Sequence, residues 1–159
     1  MLITLLRHAT AEPHSPADAE RALVKKGKNQ VQRVAAFCRQ HGLLPGVLYS
    51  SPLRRAQQTA TLLQVGLPDC PAVIDIEWLS PGIHPRTVVN ELRELEEAGI
   101  GDVWLVGHEP NLSVLTGHLL TTDGAAFLIK KASLTRVEVD FAAGLPGQLL
   151  WSVPCALMR

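Results

Sequence analysis

Apolar and polar positions along the chain switch between two periods, and the switches mark its elements. Leu2–Leu6 is an unbroken apolar or β-branched run, the pattern of a strand buried on both faces, and it stops abruptly at Arg7-His8. Ala11–Glu20 sets two prolines among polar residues and reads as a loop. Val31, Val34, Ala35 and Cys38 stand at helical spacing, and His41-Gly42 closes that helix. Val47–Tyr49 reads as a short strand. Ser51-Pro52 then reads as an N-cap and first-turn proline, predicting a helix through about Val65. Val73–Ile76 is a further strand. Thr87–Ala98 carries Val88, Leu92 and Leu95 on one side and carboxylates on the other, predicting a solvated amphipathic helix ended by Gly99. Val103–Val106 reads as a buried strand and Pro110–Leu120 as a helix. Leu134–Val139 and Leu149–Val153 alternate like strands near a sheet edge.

The order βαβα(β)αβα followed by two strands predicts the α/β class: a three-layer α/β/α sandwich around a mostly parallel sheet. No repeat, low-complexity tract or linker interrupts it, and 159 residues is the length of one domain, so residues 1–159 are read as a single unit. The 47% of apolar residues suffices for a sizeable core, while 15 basic and 15 acidic residues cancel. That balance gives no bulk electrostatic case for nucleic acid or an anionic membrane. No apolar run approaches the roughly 18 residues of a membrane span. Arg7 cuts the first apolar run and no basic stretch precedes it, so a cleaved leader is not expected. Cys38, Cys70 and Cys155 are scattered and odd in number, without CxxC or Cys/His ligand spacing. This argues against disulfides and structural zinc and fits a reducing cytoplasm.

In parallel sheets of this kind, ligands bind beyond the carboxyl ends of the strands. Three segments stop there with chemically loaded residues: LLRHAT with Arg7 and His8, SSPLRRAQQTA with Arg54 and Arg55, and VGHEPNLS with His108. Each alone has an ordinary reading as a surface turn. Jointly they predict two histidines and at least one arginine pair converging with helix N-termini at one edge, the composition of a phosphate site. Arg54-Arg55 in a first helical turn oppose the helix dipole, which points to a purpose for one of them. His14, His41, His84 and His118 lack such context and read as loop, helix-end, loop and helix-face residues. No two histidines stand four residues apart, so a metal site finds little support.

The three motifs together resemble the histidine phosphatase superfamily, with its phosphoglycerate-mutase-like fold. Arg21-Ala22-Leu23 before Gly27, the segment Trp78-Leu79-Ser80-Pro81-Gly82 and the ending Trp151…Pro154 resemble its SixA-type phosphohistidine phosphatases. The resemblance implies His8 as nucleophile, Arg7 and Arg55 as phosphate clamps, and His108 as the second pocket histidine. It implies Arg21 at the pocket rim and gives Arg54 no role, leaving it a solvated helix residue. It implies no metal and no cofactor.

Two positions depart from the family pattern. Ala9 replaces a glycine, so either it takes an ordinary φ or the loop is strained. The glutamate that serves larger relatives as proton donor has no clear counterpart; Glu77, Glu12 and Glu109 are the loop carboxylates within reach. A weak acid suits a phosphohistidine substrate, whose second ring nitrogen can already carry the proton. The expected partner is therefore a phosphohistidine-bearing phosphotransfer protein, from a two-component relay or a sugar phosphotransferase system. The alternatives are a general phosphomonoesterase and a non-catalytic module that binds phosphate ion or phosphorylated partners.

Overall fold

The strand expected at residues 2–6 forms, extends by one residue to take in Arg7, and lies inside the sheet. The computed structural model describes residues 1–14 and 16–159; within the predicted loop 11–20, Ser15 lies outside the described residues. Among the described residues six strands form: β1 (Leu2–Arg7), β2 (Val47–Ser50), β3 (Val73–Asp75), β4 (Asp102–Gly107), β5 (Leu134–Asp140) and β6 (Gly144–Val153). Four α-helices accompany them: α1 (Lys25–Gln40), α2 (Arg54–Gly66), α3 (Pro85–Glu97) and α4 (Asn111–Leu119).

The sheet order is β3-β2-β4-β1-β5-β6. The first four strands run parallel, and β5 pairs antiparallel with both β1 and β6. Alternation along β1 builds a layer on each face. Ile3 and Leu5 pack with Val88, Val89 and Leu92 of α3 and Leu112, Leu115 and Leu119 of α4. Leu6 packs with Val31, Val34, Ala35 and Cys38 of α1 and Ala56, Ala60 and Leu63 of α2. The result is the expected α/β/α sandwich. No helix among the described residues is long and apolar enough to cross a membrane.

Several boundaries differ from the sequence reading, each for a local reason. The helix after β2 starts at Arg54, not Pro52: Leu53 holds the cap position, while Ser51 Oγ accepts from the Leu53 N–H at 3.4 Å and is also hydrogen-bonded to His108 Nε2. The helix expected from Thr87 starts at Pro85, with His84 as a genuine cap whose Nδ1 accepts from the Arg86 N–H at 3.2 Å. His84 is therefore a capping residue rather than a free loop histidine. Pro110 caps α4 from outside. β6 begins at Gly144, earlier than expected, because Pro146 and Gly147 break the alternation that signals a strand.

Candidate active site

Sheet order decides which motifs meet. β2, β4 and β1 are consecutive neighbours and parallel, so their carboxyl ends lie side by side. Arg7 is in register with Gly107, and the His8 N–H donates to the Gly107 carbonyl at 3.0 Å. The Ser51 N–H likewise donates to the Val106 carbonyl at 3.0 Å. His8, His108 and Ser51 thus follow three adjacent strand ends. The two imidazole rings lie with centroids 5.1 Å apart, inclined at 51°. α2 then carries Arg55 in its first turn over the same edge.

All but Arg7 of this group are almost fully buried: His8 6%, His108 3% and Arg55 5% exposed. Burial pushes the His8 imidazole down to about 4; a hydrogen bond to Ala9 works against this, while the charges of Arg55, Arg7 and Lys131 add to it. Burial likewise pushes His108 down to about 3, followed by His8 and the charge of Arg55. Both rings are neutral at neutral pH.

Each ring has one nitrogen engaged. His8 Nδ1 lies 2.8 Å from the Ala9 carbonyl, which can only accept, so the ring proton sits on Nδ1 and Nε2 keeps its lone pair. His108 Nε2 is hydrogen-bonded to Ser51 Oγ at 2.7 Å, and its Nδ1 is buried without a partner among the described residues. The Nε atoms of Arg7 and Arg55 are buried and unpartnered in the same sense. Three unsatisfied polar nitrogens on the clustered residues are costly unless an acceptor binds there, and a multivalent oxyanion supplies enough acceptors for all three.

The loop that holds His8 is pinned from two sides. The Ala9 N–H donates to Thr59 Oγ1 at 3.1 Å, and the Thr59 hydroxyl donates to the Arg55 carbonyl at 2.7 Å. One threonine thereby ties the first helical turn of α2 to the residue after His8. Ala9 is absent from the positive-φ residues among the described residues, so it sits at an ordinary φ and no strain attends the missing glycine.

Of the sequence-predicted residues, Arg7, His8, Arg55 and His108 come together. Arg7 Nη1 donates to the Ile129 carbonyl at 2.9 Å, which anchors its guanidinium. Arg21 joins only indirectly: its Nη1 donates to Asp18 Oδ1 at 2.9 Å, and Arg55 Nη2 donates to Asp18 Oδ2 at 3.0 Å. Arg54 reaches Glu20, through an exposed ion pair at 3.9 Å and a hydrogen bond donated to its carbonyl at 3.4 Å, in keeping with a solvated helix position. Glu12 accepts from the Ala22 N–H, Glu77 from Ser80 and Glu109 from Ser113. Among the described residues, none of these glutamates is bonded to the four clustered residues.

Sequence reasoning missed Asp18, Ser51 and Thr59. Asp18 lay in a stretch with no periodic signal, Ser51 was assigned to capping, and Thr59 was one polar residue in a helical pattern. Arg21 and then Arg55, both hydrogen-bonded to it, hold the Asp18 carboxyl below the usual carboxylate range.

Comparison with known proteins finds likeness in sequence and in fold. Residues 3–78, from β1 to the segment after β3, match the model of the Histidine phosphatase superfamily (branch 1). The solved structure of the protein histidine phosphatase SixA complexed with tungstate covers 100% of both chains at a TM-score of 0.90 and 20% identity. A mycobacterial glucosyl-3-phosphoglycerate phosphatase with inorganic phosphate covers 98% of this chain and 99% of its own, at a TM-score of 0.76 and 19% identity. At those identities the likeness is one of fold, the phosphoglycerate-mutase-like fold. An uncharacterised protein of Picosynechococcus sp. is 29% identical, over 87% of this chain and 89% of its own.

Proposed function

We propose that this protein is a phosphatase of the histidine phosphatase superfamily and removes phosphate from a phosphohistidine carried by another protein. The observation that carries the proposal concerns acid catalysis. Among the described residues, the one carboxylate bonded to the clustered residues is Asp18, and its arginine partners keep it ionised. An ionised carboxylate cannot protonate a departing alkoxide. A phosphohistidine does not ask for it: with its second ring nitrogen already protonated, it departs as neutral imidazole when the P–N bond breaks.

The proposed chemistry runs in two displacements. His8 Nε2 attacks phosphorus; a His8 N–P bond forms as the substrate P–N bond breaks. The Nδ1–H bond to the Ala9 carbonyl keeps the attacking nitrogen unprotonated and then supports the positive charge of the phosphorylated ring. Water next forms a P–O bond as the His8 N–P bond breaks, releasing phosphate and a proton and restoring neutral His8. Arg7, Arg55 and His108 Nδ1–H stabilise the equatorial oxygens, the main catalytic contribution in phosphoryl transfer. Arg21 acts at the rim by holding Asp18. The proposed partner is a phosphotransfer protein of a two-component relay or a sugar phosphotransferase system, acting in the cytoplasm in signal transduction, with residues 1–159 working as one domain.

A second reading, a phosphomonoesterase, draws on Glu109, which directly follows His108 and whose Oε1 is buried without a partner among the described residues. Rates on a histidine-phosphorylated phosphotransfer protein and on a panel of alkyl and aryl phosphates separate the two. We expect the P–N substrate to be favoured and alkyl esters to be feeble in wild type and in Glu109→Gln alike. Good turnover of alkyl esters that is lost in Glu109→Gln would establish the esterase instead.

A further inference from the structure

Beside the phosphate site, and opening onto it at Arg7, lies a groove of about 940 Å³. Its walls are the first turns of α1, the segment before β5 and the residues after β6, and Thr10 joins Arg7 in lining it. The charge along it is one-sided. Arg7, Lys25, Lys26, Arg33, Lys130 and Lys131 all line it, and no aspartate or glutamate does. The chain as a whole is neutral, with 15 basic and 15 acidic residues, so this concentration is a local feature of the surface.

Three further observations show that the cations are not spent on the fold. Among the described residues, Lys25, Lys26, Arg33, Lys130 and Lys131 form no ion pair. Lys25 and Lys26 stand in the first turn of α1, which holds no acid, so both oppose the helix dipole. Burial first, and then the neighbouring charges of Arg7, Arg21 and Lys26, push the Lys131 ammonium below the ordinary lysine range.

We propose that this groove docks an acidic segment of the protein that presents the phosphohistidine. This rests on the proposed function and narrows its substrate class. The phosphoryl group enters at Arg7 and His8 while carboxylates flanking it in the partner lie along α1 against the lysines. The groove is far larger than one phosphate requires, so its occupant is an extended piece of the same molecule. Lysines are point charges on flexible stems and suit carboxylates of varied placement. No aromatic side chain lines the groove, and a single-stranded nucleic acid would want one to stack its bases on.

Binding of synthetic peptides tests this. One peptide carries a non-hydrolysable phosphohistidine analogue with an acidic flank, and a second carries the same analogue with a neutral flank. At low salt the acidic peptide should bind at least about tenfold tighter, ~1.4 kcal/mol, and the advantage should shrink as salt rises. In a Lys25→Glu/Lys26→Glu/Lys130→Glu variant the advantage should vanish while the neutral peptide binds as before. Wild-type turnover of an aryl phosphate by the variant certifies its fold. If that fails, the corresponding glutamine variant, expected to show a reduced advantage, decides. Equal binding of the two peptides, an advantage that survives the charge reversal, or tighter binding of a single-stranded oligonucleotide overturns the proposal. Hydrolysis of phosphohistidine is scored separately. Hydrolysis without a flank preference removes the groove and keeps the substrate reading; a flank preference without hydrolysis does the reverse.

Discussion

His8 and His108 show how two copies of one side chain acquire different work from their hydrogen bonds. Ala9 offers His8 only a carbonyl, which fixes the proton on Nδ1 and frees Nε2. Ser51 offers His108 Nε2 a hydroxyl, which can donate and so leave the proton on Nδ1, free for the oxyanion of the proposed reaction. His8→Ala should therefore abolish turnover while the fold survives, since circular dichroism reads a core in which a loop residue plays little part; full activity in that variant would exclude covalent catalysis. Arg55→Ala should cost about 2–4 kcal/mol in kcat/KM, as for other preorganised donors. Ser51→Ala removes the neutral hydrogen bond to His108 Nε2, together with the longer one that Ser51 Oγ accepts from the Leu53 N–H at 3.4 Å, and should lower kcat by about threefold to tenfold, ~0.5–1.5 kcal/mol, with KM for phosphohistidine little changed. A Ser51→Ala enzyme as fast as wild type would show that Ser51 does not set the His108 tautomer. The motif residues at this scale were legible because chemistry restricts what can stand at a strand end. Ser51 was legible as a polar residue and misjudged in role, since an N-cap and a histidine partner look alike in sequence.

Strand ends and helix faces were legible because both follow from spacing alone. The start of α2 was less so, because a Ser-Pro signal is local, whereas Ser51 also serves a contact to His108 that spans 57 residues. Tight approaches between elements were equally hidden. Gly27, in the first full turn of α1, is the sharpest of them: a Cβ there would stand 2.0 Å from the Thr10 carbonyl oxygen. Thr10 itself donates through its N–H and hydroxyl to Gln30 Oε1 at 2.9 and 2.8 Å, so α1 and the His8 loop are locked together at this point. By helix propensity alone Gly27→Ala should stabilise the protein by up to about 1 kcal/mol. We expect the opposite sign, a loss of about 1–3 kcal/mol from forced backbone displacement, together with reduced activity as the loop bearing His8 shifts. Denaturant unfolding reads the sign directly, and a stabilised Gly27→Ala would show that the two backbones are free to part.

Across the whole molecule, the class and the mostly parallel sheet were readable from element order, but the strand order β3-β2-β4-β1-β5-β6 was not. Periodicity reports which residues are buried and says nothing of which strand lies beside which. That order places two histidines side by side in a dry, cationic edge, and the cost falls on the stability of the entire fold. In the unfolded chain both rings titrate near their ordinary value of 6.5; in the folded chain they are held down to about 4 and about 3. Between those values the unfolded state binds more protons, so stability rises with pH and is lost as pH falls from about 6.5 toward 4. Lowering the pH from 7 to 5 should therefore reduce the unfolding free energy by about 1–2 kcal/mol for each histidine. A His8→Asn/His108→Asn variant should show a correspondingly shallower slope over the same interval. In the proposed mechanism the same depression keeps His8 unprotonated for attack, so kcat/KM, corrected for titration of the substrate, should stay level from pH 7 to about 5 and fall only below that. An acid limb near 6.5, or a denaturation midpoint indifferent to pH between 7 and 5, would mean that His8 and His108 are solvated rather than buried and would remove the physical basis for reading them as a preorganised pair.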